Sequence, residues 1–146
     1  MVKHLFELQA TWPGGRNDIG EITAGNLQTK ISIPPAMDGP GIGTNPDEML
    51  LGAAATCYLI SLAAMLERAH ITPQSLTLTS DGIVDVTNGV FTYEKIIHRP
   101  VIVLMDDAPT REKTMAQKLA EKAEKTCMIS KAIAGNVAIE LDVTIR

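Results

Sequence analysis

The chain has 146 residues, 45% apolar and 21% charged, an ordinary globular composition with enough material for one hydrophobic core. Acidic and basic residues are interspersed and sum to a net charge of −4, which leaves no basic stripe for a nucleic-acid backbone. Aromatic residues make up only 3%, so there is no stacking platform for bases.

The opening segment, Met1-Val2-Lys3-His4-Leu5-Phe6, contains a charge and is followed by no apolar stretch, so no secretory leader is expected and the expected location is the cytoplasm. The first third reads as a β-meander. Residues 5–12 form an extended segment closed by Pro13-Gly14-Gly15, and residues 19–24 and 27–33 alternate apolar and polar around a tight Gly25-Asn26 turn. Asp38-Gly39-Pro40-Gly41-Ile42-Gly43 reads as a plain loop. It lacks the Gly-Lys-Ser/Thr ending and the βαβ setting of a phosphate cradle.

Asn45-Pro46-Asp47-Glu48 is a helix start: Asn45 can cap, Pro46 suits the first position, and Glu48 stands where a capping box places it. The helix is expected to run to Arg68 or Ala69, with no charged residue from Met49 to Leu66. Gly52, Thr56, Tyr58, Ser61 and several alanines dilute the run, so it reads as a central helix buried nearly all round and not as a membrane span. One short chain has little material to wrap such a helix, which implies cover from a second subunit. Asn88-Gly89 between β-rich runs predicts a type I′ hairpin, with Pro100 placing a bend or an edge in the return strand. Residues 110–125 form an amphipathic helix, Cys127 opens a short one, and Val137, Ile139, Leu141, Val143 and Ile145 alternate as a final strand. The order is α+β, and residues 1–146 are read as a single domain.

Two cysteines, Cys57 and Cys127, are the groups most able to do chemistry; in a reducing compartment such thiols tend to be redox-active or metal-binding. Inert buried thiols are the plain alternative, since free cysteine is among the most buried residue types. Cys57 sits mid-helix among hydrocarbon, which would raise its pKa, so a reactive Cys57 needs a cation brought to it. Arg16, on the Gly14-Gly15 turn, is a candidate, and a solvated loop charge is its plain alternative. Cys127 lies where helix N–H groups favour an anion, with Ser130 three residues on. His4, His70 and His98 are scattered, with neither helical spacing nor a Cys-x-x-Cys, so no metal is expected, and His70 and His98 read as surface residues.

Thr44-Asn45-Pro46-Asp47-Glu48-Met49-Leu50 through Ala53-Ala54-Ala55-Thr56-Cys57 resembles the first-cysteine segment of the OsmC/Ohr family (osmotically inducible protein C and organic hydroperoxide resistance proteins). Cys127-Met128-Ile129-Ser130-Lys131-Ala132-Ile133 is similar to its second-cysteine segment, and Gly14-Gly15-Arg16-Asn17 to its arginine loop. The resemblance covers nearly the whole chain. It implies the OsmC-like α+β fold, an intertwined homodimer and thiol-dependent reduction of organic hydroperoxides or hydrogen peroxide. Cys57 would be oxidised to a sulfenic acid, Cys127 would close a disulfide on it, and an external dithiol, lipoyl-type or other, would reopen it, with no cofactor. Two positions depart from the family pattern: Asp47 stands where Glu directly follows Asn-Pro, and Met128 where the second segment reads Cys-Pro. A non-enzymatic member of the same fold, a small-ligand or interaction module with inert thiols, is the rival reading. Asp47 and Glu48 lie about 15 and 13 Å from Cys57 along one helix at 1.5 Å per residue, too far to touch its sulfur. A carboxylate orienting Arg16 near Cys57 is therefore expected from the second subunit.

Overall fold

The computed structural model describes all 146 residues, which divide into two compact units, Met1–Met49 and Leu50–Arg146.

In the first unit, strands β1 (Gln9–Thr11), β2 (Gly20–Ala24) and β3 (Leu27–Ile31) form the expected antiparallel meander in the order β1-β2-β3. Gly25 takes φ +59° at the hairpin, a conformation that costs glycine nothing. Strand β1 is shorter than residues 5–12, because only Gln9, Ala10 and Thr11 find partners on β2. The loop after β3 holds one 3-10 turn (Pro35–Met37) and closes on its own stem, where Ser32 Oγ donates to Ile42 O and accepts from Ile42 N, both at 2.7 Å. Helix α1 (Pro46–Arg68) starts where its cap signal lies: Asn45 Oδ1 accepts from Glu48 N at 2.9 Å. The reciprocal half of the box is replaced, since Glu48 Oε1 accepts from the Thr44 hydroxyl at 2.9 Å.

In the second unit, β4 (Ser75–Thr87) and β5 (Val90–Val103) form one long antiparallel hairpin. Asn88 and Gly89 both take positive φ, as a type I′ turn requires. Helices α2 (Thr110–Thr126) and α3 (Met128–Ile133) follow, then β6 (Ala138–Leu141) and β7 (Thr144–Ile145), both parallel to β5. Strand β5 is thus central and not an edge strand, and Pro100 pairs with Leu78 and is fully buried. A missing N–H is tolerated there because pairing on the other side lapses: β6 ends opposite His98 and β7 resumes opposite Val101. The alternating C-terminal run is split in two for the same reason.

Helix α1 lays Ala54, Tyr58, Leu62 and Leu66, one residue per turn, into the core. Tyr58, Leu62 and Leu66 pack with Ile71, Ile102, Leu104, Ala116, Ala120 and Ala123, and Ala54 with Ile96 and Val137. Each large apolar side chain buried this way contributes about 1.5–3 kcal/mol. Within one chain, burial follows this stripe and not the whole circumference: Thr56 and Ala63 are exposed, and Ile60 is 70% exposed. Length and composition alone would let α1 cross a membrane; its buried stripe is used as the core of this unit.

Candidate active site

Cys57 lies midway along α1 and is half-buried, while Cys127 is fully buried. Cys127 occupies the corner between α2 and α3. Its φ of −57° is helical but its ψ of 124° is extended, so it ends one helix and caps the next. Its N–H donates to Ala123 O and its C=O accepts from Lys131 N, both at 3.0 Å, which anchors the corner on both sides. Its sulfur accepts from Ser130 N at 3.5 Å, the usual service of an N-cap side chain.

The corner also faces Cys57. Burial acts to raise the Cys57 pKa, but hydrogen bonds from the Cys127 side chain, the N–H groups of Ile129 and Met128, and Ser61 outweigh it and hold the thiol below its ordinary value of 9.0. The expectation that only a cation could activate Cys57 is thereby corrected: neutral donors supply the effect. Nor does the opening of α3 serve Cys127 alone. Its first two N–H groups bear on Cys57, and a proline in place of Met128 would have no N–H to give. Ser61 was missed in the sequence, although its place one turn after Cys57 on the same helix was a readable signal.

Arg16 and the two carboxylates belong to the first unit. Arg16 is not a freely solvated charge. Its Nη2 donates to Met37 O at 2.7 Å, and its Nη1 to Asp38 O at 3.3 Å and Asn17 Oδ1 at 2.8 Å. Its turn is fastened from within, with Trp12 Nε1 donating to Gly15 O at 2.9 Å and Gly15 N to Asp18 Oδ2 at 2.6 Å. Asp47, half-buried, and Glu48, exposed, occupy the first turn of α1, where carboxylates suit the helix dipole.

His98 is corrected from a surface residue to a core one. It is fully buried, its ring stacks on Tyr58 at 5.0 Å between centroids and 12° between planes, and its Nδ1 is 2.7 Å from Ser80 Oγ. Burial holds its pKa below the ordinary 6.5. Alternation on β5 could have found it, since His98 shares a face with Ile96, Pro100 and Ile102. No three His, Cys, Asp or Glu side chains are grouped as a metal ion would need.

Among known proteins, the chain is 60% identical to the uncharacterized protein YmaD of Bacillus subtilis, over 100% of this chain and 97% of that one. It is 28% identical to an organic hydroperoxide resistance protein of Xanthomonas axonopodis pv. citri, over 95% of this chain and 94% of that one. Among solved structures it superimposes on the organic hydroperoxide resistance protein OsmC of Legionella pneumophila with a TM-score of 0.77 and 26% identity, covering 97% and 99% of the two chains. The family model described as OsmC-like protein matches residues 39–142, which take in both cysteine segments. By fold and by sequence, the chain belongs to the OsmC-like family.

Proposed function

We propose that this protein is a cysteine-based peroxidase that reduces organic hydroperoxides or hydrogen peroxide. The observation that carries the reading is the convergence of Cys127 and the Met128 and Ile129 N–H groups on a Cys57 thiol whose ionisation they favour. The hydroperoxide resistance names of the Xanthomonas and Legionella relatives point the same way.

In the proposed cycle, Cys57 thiolate attacks the outer peroxide oxygen, the O–O bond breaks, and the alkoxide takes a proton and leaves as an alcohol. Cys57 is now a sulfenic acid. The Cys127 thiol condenses with it, forming the disulfide and releasing water. An external dithiol, of the lipoyl class or another, then reduces the disulfide and becomes oxidised itself. Cys127 is fully buried and Cys57 is not, so the dithiol attacks Cys57 and Cys127 departs as the leaving thiolate. The sulfurs carry both electrons, and no cofactor enters. Arg16 serves to bind the peroxide oxygen and favour the thiolate, oriented by Asp47 or Glu48 of a second subunit. We place the protein in the cytoplasm as a homodimer, in which a second copy covers the uncharged outer face of α1; Ile60→Lys should then convert dimer to monomer in sedimentation.

The deciding experiment is mass spectrometry of reduced protein after substoichiometric peroxide. An intramolecular Cys57–Cys127 disulfide is the expected product, and unmodified thiols would instead support a non-enzymatic ligand-binding module.

A further inference from the structure

We propose that Tyr58, clamped between His98 and Ala120, is the positioning residue that aligns Cys57 with Cys127. This rests on the reading that the two thiols act as a pair.

Tyr58 follows Cys57 directly on α1, so no rotation or slide of the helix can move one without the other. Its phenol donates to Ala120 O at 3.0 Å. Ala120 lies on α2, whose hydrogen bonding continues to Cys127 N, so about two turns of rigid helix separate that carbonyl from the corner. One hydrogen bond therefore ties the backbone carrying the attacking sulfur to the backbone carrying the resolving one. The opposite side of the clamp comes from the sheet. His98 stacks on the Tyr58 ring, and Ser80, its partner across the β4–β5 register, holds the imidazole at 2.7 Å.

The chemistry of the three side chains suits this task. Burial, with a contribution from the Glu124 carboxylate, raises the Tyr58 pKa and keeps the phenol protonated as a donor. Burial keeps His98 neutral, so it stacks without bringing a charge into the core. Packing alone would be met by Phe at 58 and a β-branched residue at 98, without three polar groups to satisfy. The alignment matters because the donors to Cys57 come from the corner that Ala120 leads to.

The test uses the reduced full-length chain and diamide, which takes up the two thiol hydrogens to become a hydrazine as the Cys57–Cys127 disulfide forms. Tyr58→Phe keeps the ring and its stack. It should slow this cross-linking on the order of tenfold, the scale of one lost hydrogen bond in an alignment step. It should also move the midpoint of Cys57 alkylation to higher pH. Ser80→Ala should act in the same direction more weakly, and it carries the test should Tyr58→Phe not fold. A lower melting temperature with an unchanged cross-linking rate and an unchanged alkylation midpoint, in whichever variant folds, overturns the proposal and leaves the trio a structural network. Diamide reports on alignment without peroxide. Tyr58-dependent cross-linking in a protein that consumes no peroxide would support the alignment and sink the peroxidase reading, and the reverse pattern would do the opposite.

Discussion

The two units differ sharply in how they hold their functional groups. The meander unit buries little beyond Ile22, Ser32 and Asn45, and it leaves Val2, Leu5, Phe6, Leu8 and Leu27 exposed. The second unit packs Tyr58, Leu62, Leu66, Ile96 and Ile102 with almost no exposure. The groups divide accordingly. A guanidinium is charged at any physiological pH and asks only to be held, which three oxygen acceptors on a surface loop achieve for Arg16. A thiol must be tuned, and tuning requires donors fixed to a fraction of an ångström, which only a packed core supplies. The thiols accordingly lie in the dense unit and the arginine in the sparse one.

The largest expected effect tests the chemistry of the dense unit. Cys57→Ser should reduce peroxide consumption to the buffer rate, whereas Cys127→Ser should complete one turnover and then over-oxidise. A first turnover of Cys57→Ser at the wild-type rate would end the assignment. Energetics separate the units next. Leu62→Ala should cost about 2–5 kcal/mol in urea unfolding, because it opens a cavity in the core. Leu27→Ala, on the exposed meander, should stay within about 0.5 kcal/mol. Equal losses would mean that the meander is buried in solution, as the proposed dimer could cause.

A smaller kinetic effect tests whether the sparse unit takes part at all. Arg16→Ala should slow the attack step on the order of tenfold, and Arg16→Lys should recover part of it, keeping the charge but losing the bidentate fork. Stopped-flow rates unchanged by either would make Arg16 a structural staple of its loop. The smallest effect is in pH. Because burial holds His98 below 6.5 in the folded chain, the unfolded chain binds the proton first as pH falls. Stability is therefore complete above 6.5 and declines below it, until the folded-state pKa is passed. His98→Gln should flatten that part of a urea-midpoint profile, and an unaltered slope would assign the acid sensitivity to other groups.

Much of this molecule is legible along the chain because its signals are local. The Asn45-Pro46 start of α1, the Asn88-Gly89 hairpin and the amphipathic α2 depend on residues within a turn or two of each other, and they stand where the sequence places them. The edge reading of Pro100 and the surface reading of His98 fail for one shared reason. Whether a strand is central or at an edge, and which of its faces is covered, depends on β6 and β7 returning from the far end of the chain to lie beside β5. From neighbours alone, a proline suggests an edge and a histidine suggests solvent.

The sequence by itself determined the α+β order, the two thiols and the arginine turn, since composition, periodicity and spacing are properties of contiguous residues. Only the tertiary structure decided that Met128 and Ile129 turn their N–H groups on Cys57, and that Tyr58 and His98 stack behind the pair. Residues this far apart along the chain meet only after the core has formed. Hydrogen bonds depend on distance and angle too steeply for any one-dimensional pattern to carry them.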